Sequence, residues 1–427
     1  MKSSKKTDLV DLYSLKIKAI WSSSRQESVA LWCLCLFFFF EYVRPQSLYP
    51  VIDILPWAQV CLILTFLAAF FNKSIGWVSH PLNKLFVLFG LVVFISGVNS
   101  YYPMYSWEYK SIILGWFVIY FLTITIVNSE KCLILFMLAY LLFSLKMAQH
   151  GALGWAQRGF SFESYGLIGA PGWFRNSGEY AIQMLIYGSL AISFVVSLGS
   201  YWGRVKKGVL FTSAAMGYFA VMGASSRGSQ LALAAIIVWL TLKHKSGFKA
   251  LIILLISFSL LWALLPDEQW KRFESMGDDN TSVQRLLYWG LGFEAAKDHP
   301  AFGIGYKNWM PYMTSLYPEG IGPLGKVEVS HSIYVEAAAE LGFTGFFIFL
   351  MMVFCAFVAN SRTRKLTSNG RNPLLYNLSY GLDAGLIGFL VAGAFVTVLF
   401  YPFFWVQIAM IVSLHSVAKR VYSGSSK

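Results

Sequence analysis

The stretch VSHSIYVEAAAELGFTG (329–345) sets one imidazole, His331, directly ahead of a long apolar run, with Glu336 and Glu340 in the first turns of that run. An imidazole there can be neutral near pH 7 and accept a proton from a hydroxyl. It serves equally as an interfacial polar group bonded to a helix end. Glu336 and Glu340 are four residues apart and share one helix face. Carboxylates that deep in an apolar helix face protein or water rather than lipid. They can orient His331, pair with an arginine, or form a purely structural pair. Arg227 lies in GASSRGSQLALAA (223–235), a short polar break between two apolar runs. A helix starting at that break aims its first amides and a planar guanidinium at one place, which suits a phosphate. Arg285 stands beside Tyr288 and Trp289 in TSVQRLLYWGLGFEAAKDHP (281–300), and Arg158 and Arg175 lie amid Trp155, Phe160, Phe162, Tyr165, Trp173 and Phe174. These three arginines fit headgroup-facing anchors as well as ligands, whereas Arg227 is set apart by its break. Arginine for phosphate, rings for sugar stacking and one histidine for proton transfer suit a substrate with a lipid tail, a diphosphate and a glycan. Asp278 and Asp279 are adjacent acids without further ligands and read as a solvated turn, so no metal is expected.

The elements that position these residues are membrane helices. The 427 residues are 57% hydrophobic and 13% charged, a balance that no soluble domain could keep wetted. Apolar stretches of spanning length centre on about twelve places: 28–43, 54–71, 83–99, 110–127, 131–148, 179–198, 208–224, 227–242, 248–266, 333–358, 376–398 and 402–418. The expected architecture is all-α and polytopic, one integral membrane domain over 1–427. A partly helical loop over 267–332 falls between the ninth and tenth spans, with a smaller loop over 149–178. The first span follows a polar leader without a small-residue cleavage site and reads as a retained helix. Of the 34 Lys and Arg, 22 fall on the side that carries both termini, while most acids fall opposite. The positive-inside rule then makes both termini cytoplasmic and puts the two large loops outside. The net charge of +13 is thus an effect of topology and implies no nucleic-acid partner. Cys33, Cys35, Cys61, Cys132 and Cys355 all fall in expected spans and read as small buried hydrophobes. Neither an internal repeat nor a GxxxxGK[ST] loop is present, which argues against an inverted-repeat transporter and an ATP-driven pump. Within the longer loop, Thr281 and Gln284 form a capping-box pattern. Val283, Leu286, Leu287 and Leu291 recur at helical spacing, and Pro300 stops the run. This amphipathic helix is expected to lie on the outer membrane surface.

Three segments, in this order and placement, resemble the bacterial O-antigen ligase and O-antigen polymerase superfamily: SSRGSQLALAA, RLLYWGLGFEAAKDHPAFGIG, and a histidine heading a helix that reads AAELGFTG. They cover about 220–350, and the twelve-span layout carries the likeness over the rest of the chain. FEYVRPQSLYP (40–50) adds only a loose likeness and no site. The resemblance implies a metal-independent, inverting glycosyltransferase of the C-type membrane fold, needing no cofactor, in the bacterial inner membrane. Such an enzyme moves a glycan from undecaprenyl diphosphate to an acceptor hydroxyl on the periplasmic face. On that pattern Arg227 and Arg285 hold the diphosphate, and His331 is the general base or positions the acceptor. Arg175, Arg158, Tyr288, Trp289 and Glu336 are the remaining candidates for contact with substrate. The family often has Asn after the helix-heading His, where this chain has Ser332.

The acceptor distinguishes members of the superfamily, and no motif here reads it out. A ligase attaches finished polymer to lipid A–core, a polymerase extends a growing glycan, and relatives glycosylate protein serines; the reading favoured here is the ligase. Two expectations of other classes remain. A lipid-linked sugar transporter would use the same arginines without breaking a bond and would show polar groups deep in several spans, of which Asp383 is the one found. A structural scaffold would tolerate loss of the outer arginines. Oligomeric state is not encoded in any pattern found.

Overall fold

A computed structural model describes residues 9–72, 76–163, 165–243, 252, 280–368 and 370–422. The main helices are α1 Val29–Tyr42, α2 Trp57–Phe70, α3 Pro81–Val98, α4 Lys110–Ile126, α5 Glu130–Gln157, α6 Ser177–Leu198 and α7 Arg204–Gly223. They continue with α8 Arg227–Lys243, α9 Asn280–Asp298, α10 Trp309–Leu316, α11 Ile333–Thr367, α12 Pro373–Gly393 and α13 Pro402–Tyr422. Among the described residues there is no strand, and eight helical runs are long and apolar enough to cross a membrane. The protein is an all-α, multi-pass membrane protein. The expected span 248–266 and the turn with Asp278 and Asp279 lie outside the described residues; each of the other eleven expected spans falls on a helix.

Two boundaries differ from the sequence reading. Helix α5 runs to Gln157, well into the stretch read as a loop from 149. Nothing in AQHGALGWAQ breaks a helix, and Gly151 and Trp155 pack that extra length against Tyr180, Ala220 and Gly223. Helix α12 ends at Gly393 rather than 398, and residues 394–401 form a turn, buried at Val398, Leu399 and Phe400, that Pro402 closes by opening α13. An apolar run of VTVLF hides that break from hydropathy, because the turn faces protein.

Helix α13 is buried along nearly all of its length and is the axis of the bundle. Trp405 on it packs against Phe86, Phe89 and Phe404. Helices α6 and α12 approach closely because Gly381, Gly385 and Gly388 face α6. A Cβ on Gly381 would stand 2.5 Å from Ser193 Oγ. Small residues of this kind let backbones meet where no hydrophobic effect drives helices together. Outward stripes such as Val87, Leu91, Phe94 and Val98 on α3 are exposed and apolar, the surface that hydrocarbon covers.

Candidate functional site at the head of the kinked helix

Helix α11 is interrupted at Gly342, whose φ of 65° is open mainly to glycine. The interruption frees backbone groups that segment 300–305 takes up. Phe343 N donates to Pro300 O at 2.8 Å, Ile304 N to Ala339 O at 2.8 Å and Gly305 N to Glu340 O at 3.2 Å. Ser96 Oγ of α3 also donates to Glu340 O, at 2.7 Å. The two surfaces touch so closely that a Cβ on Gly303 would stand 2.4 Å from the Glu340 carbonyl carbon. The motifs DHPAFGIG and AAELGFTG are therefore two halves of one hydrogen-bonded joint.

Glu336 and Glu340 serve that joint. Glu340, buried, accepts from the backbone N–H of Lys307 at 3.0 Å and of Trp309 at 3.3 Å. Its carboxylate holds Lys307 at a positive φ of 60°, a conformation rare outside glycine. Glu336, 1% exposed, accepts from Lys307 Nζ at 3.2 Å and from Leu399 N at 2.9 Å. Burial would depress the Lys307 ammonium, but Glu336 and Glu340 outweigh it and hold the group above the ordinary lysine range. Lys307 Nζ also lies over the Phe400 ring at 4.6 Å. Glu336 thus ties the 305–309 loop to the 394–401 turn, and both of its oxygens are engaged.

His331 sits two residues before α11, just ahead of its cap, at a φ of 50°, again left-handed and non-glycine. Backbone strain of this kind costs on the order of 1–3 kcal/mol and is retained where the surroundings over-determine it. Ser332 behind it is the helix cap, its hydroxyl accepting from Tyr334 N at 3.3 Å. Asparagine caps helices as readily as serine, so a Ser for Asn exchange at 332 keeps that local role. His331 Nε2 lies 3.8 Å from Glu328 Oε2. Burial, the nearby Arg285 guanidinium and Lys326 lower the imidazole pKa from its ordinary value, and Glu328 partly opposes them. Burial and the two cations favour the neutral imidazole, and the charge of Arg285 on α9 is felt at the ring.

Helix α9 packs with its small and polar side inward. Gln284, Tyr288, Gly292, Ala295 and Ala296 are buried against the α11 face and Trp309, while Val283 and Leu286 are 41% and 58% exposed. The capping box expected from Thr281 and Gln284 does not form. Gln284 Oε1 accepts from Leu324 N at 3.3 Å, and its Nε2 donates to Ile321 O at 2.8 Å and to Tyr288 Oη at 2.7 Å. Tyr288, 0% exposed, donates to Lys326 O at 2.7 Å and accepts from Glu328 N at 2.8 Å. Trp309 Nε1 donates to Glu328 O at 2.8 Å. Tyr288 and Trp309 so fix the Glu328 backbone from both sides; Tyr288 supports the site from beneath and presents no surface to a ligand.

Arg227 opens α8 after a turn in which Ser225 has a φ of 52°. Glu163 and Leu167 brace that turn: Glu163 N donates to Ser225 Oγ at 3.2 Å and Leu167 N to Gly223 O at 3.1 Å. The residue after it, Gly228, packs on the Phe395 ring, and Trp289, one turn along α9 from Arg285, lies 6.1 Å from that same ring. Phe395 therefore lies between the start of α8 and Trp289 of α9. Ser330 Oγ and Thr397 Oγ1 are 3.3 Å apart, so the 394–401 turn also meets the segment that carries His331. Arg158 is engaged locally, 3.0 Å from Glu163 and 3.3 Å from Tyr165 O. Arg175 is exposed at the head of α6, near Glu179 and Tyr401.

Of the residues read from the sequence, the structure sets Arg285 within electrostatic reach of His331, and it puts Trp289 and the Gly228 that follows Arg227 on the same Phe395 ring. It leaves Arg158 in a loop brace and buries Glu336 and Tyr288 in the framework. Sequence reasoning missed Glu328, Lys307 and the 394–401 turn. Glu328, three residues before His331, was findable as the carboxylate in reach of an imidazole on a non-helical segment. No group of three or more His, Cys, Asp or Glu able to hold a metal occurs among the described residues.

No curated protein matches the chain. A family model described as O-antigen ligase matches residues 211–350, the span from within α7 to the middle of α11 that contains Arg227, Arg285 and His331. Over that third of the chain the sequence is similar to the O-antigen ligase family, in line with the resemblance read from its motifs.

Proposed function

We propose that the protein is a glycosyltransferase of the inner membrane that moves a glycan from undecaprenyl diphosphate to an acceptor hydroxyl on the periplasmic face, as an O-antigen ligase acting on lipid A–core. The observation that carries this reading is His331 held at a left-handed φ ahead of α11, 3.8 Å from Glu328, where burial and the Arg285 guanidinium lower its imidazole pKa. The excess of Lys and Arg on the side of both termini supports a periplasmic site.

In the proposed reaction Glu328 holds the Nε2 side of the ring and leaves Nδ1 to take the acceptor proton. The acceptor oxygen attacks the anomeric carbon opposite the leaving group. As the bond from that carbon to the phosphate oxygen breaks, undecaprenyl diphosphate departs with new negative charge. Arg285 and Arg227 stabilise that charge, aided by the amides that open α8. The anomeric centre inverts, and no metal is called on. Because Arg285 weakens the His331 base, a diphosphate that neutralises Arg285 strengthens it. Donor binding therefore arms the base.

The test uses purified protein in membranes with a lipid-linked glycan donor and a lipid A–core acceptor. His331→Ala is expected to lower turnover roughly 10²–10⁴-fold, and Arg285→Ala or Arg227→Ala roughly 10²–10³-fold. Near-normal transfer by all three, at normal protein levels, would sink the assignment. Lipopolysaccharide banding of a deletion strain separates the acceptors: loss of every rung with free polymer marks a ligase, and single-repeat rungs mark a polymerase.

A further inference from the structure

At the end of the bundle opposite His331, the head of α3 and the tails of α11 and α13 enclose a cavity of about 480 Å³. Pro81, Phe354 and Val358 make its walls apolar, and Arg362 and Lys419 stand at its mouth. Two imidazoles complete it, His80 and His415, edge to face at 5.4 Å. Each ring is held by its Nδ1, which accepts from Leu82 N at 3.2 Å for His80 and lies 3.1 Å from Thr363 Oγ1 for His415. Burial, with His415, Arg362 and Lys419 close by, pulls the His80 imidazole down to about 4, so it adds no charge at neutral pH. No carboxylate lines the cavity, and neither Arg362 nor Lys419 has an ion-pair partner among the described residues. Two cations thus stand over an apolar chamber without a counter-charge.

The shape of the surroundings decides what supplies that charge. Phe347, Met351 and Phe354, at 62%, 50% and 63% exposed, form one stripe along α11 that runs out of the cavity toward the middle of the bundle. A free phosphate has no use for such a stripe, whereas an acyl chain does. Basic pockets between membrane helices at the cytoplasmic side are suited to anionic lipid headgroups. We propose that this cavity binds an anionic phospholipid, its phosphate between Arg362 and Lys419 and an acyl chain along Phe354, Met351 and Phe347. Glycan transfer at the opposite end does not require it, and the two readings stand or fall separately.

The test is the melting temperature of the full chain in neutral detergent with added phosphatidylglycerol, phosphatidylcholine or inorganic phosphate. Phosphatidylglycerol is expected to raise it by about 2 °C or more, with no comparable rise from the other two. The double variant Arg362→Gln and Lys419→Gln should abolish the rise, as should Val358→Trp, which fills the chamber and leaves both cations in place. Lys365→Gln with Arg371→Gln, at the same end but outside the cavity, should retain it. A rise that survives in the cavity variants, or one matched by phosphatidylcholine, overturns the proposal. Full reproduction by inorganic phosphate also overturns it, in favour of a free-anion site. Should the double variant fail to fold, Arg362→Gln alone and Val358→Trp decide between the same outcomes.

Discussion

Protonation of a single ring sets the expected pH behaviour at the residue scale. In the proposed reaction His331 is a base that works only when neutral, so transfer should rise with pH through its pKa, which lies below the ordinary imidazole value because burial and Arg285 lower it. The acid limb of the kcat/KM profile is therefore expected below pH ~6.5. Two variants move that limb in opposite directions. Arg285→Gln removes a neighbouring cation, so the limb shifts to higher pH while the rate falls roughly 10²-fold or more. Glu328→Gln removes the group that raises the pKa, so the limb shifts to lower pH. Its rate also falls, because the ring loses the carboxylate 3.8 Å from Nε2 that orients it. A merely structural role for Glu328 would lower the rate and leave the limb where it is. The same profile run with saturating donor tests the arming of the base: the limb in kcat should stand above the limb in kcat/KM. Identical limbs would show that Arg285 and the diphosphate do not communicate through His331.

Between residues and the bundle stands the joint at Gly342. Its φ of 65° and the approach of Ala301 and Pro300 leave no room for a side chain. Gly342→Ala is expected to destabilise by roughly 1–3 kcal/mol, from backbone strain together with a clash against main chain. Gly290→Ala on α9, where a Cβ meets nothing within 4 Å, should be neutral or stabilising by up to about 1 kcal/mol. Melting temperatures of the two variants check the contrast. Tyr288→Phe belongs to the same scale. It deletes a buried hydroxyl that bonds Lys326 O and Glu328 N, and it should cost about 1–3 kcal/mol with a loss of turnover from a looser Glu328. How far these elements can be read in the sequence follows from what each depends on. Eleven expected spans fall on helices because hydropathy and length decide a lipid-facing helix almost alone. Pro402 and Gly393 bound the 394–401 turn, yet its apolar residues read as more helix, since a turn buried in protein needs no polar surface. The inward face of α9 is not legible in the sequence for a related reason. Val283 and Leu286 carry the hydropathy, but Gly292, Ala295 and Ala296 permit close approach to α11. Glu336 and Glu340 show the limit most clearly. Their spacing revealed a shared face, while their partners at Lys307, Trp309 and Leu399 are distant in sequence and no local pattern announces them.

For the molecule as a whole, the question is whether any polar group inside the bundle is left for moving a solute. Asp383 on α12 is the acid that hydropathy leaves stranded, and in the fold it is 1% exposed. It accepts from Arg364 Nη1 at 2.7 Å and from Asn360 Nδ2 at 2.7 Å, both on α11. The Arg364 guanidinium in turn lies 4.5 Å over the Tyr380 ring. A carboxylate with two short bonds to a neighbouring helix is a clamp between α11 and α12, and those helices carry the two ends of the site, Ser332 and Gly393. Removing one partner leaves the other charge inadequately paired in a low-dielectric interior. Asp383→Ala is therefore expected to lower stability by about 3 kcal/mol, read as a lower melting temperature and a smaller folded yield. Replacing both, Asp383→Leu with Arg364→Leu, deletes the uncompensated charge and should recover most of that loss, since apolar replacement of a buried pair is often neutral. The folded double variant should then transfer glycan at a rate near that of the parent. A transporter that used Asp383 to couple an ion would behave in the opposite way, with a stable double variant that moves no sugar and a parent that carries sugar across liposomes without forming a glycosidic bond.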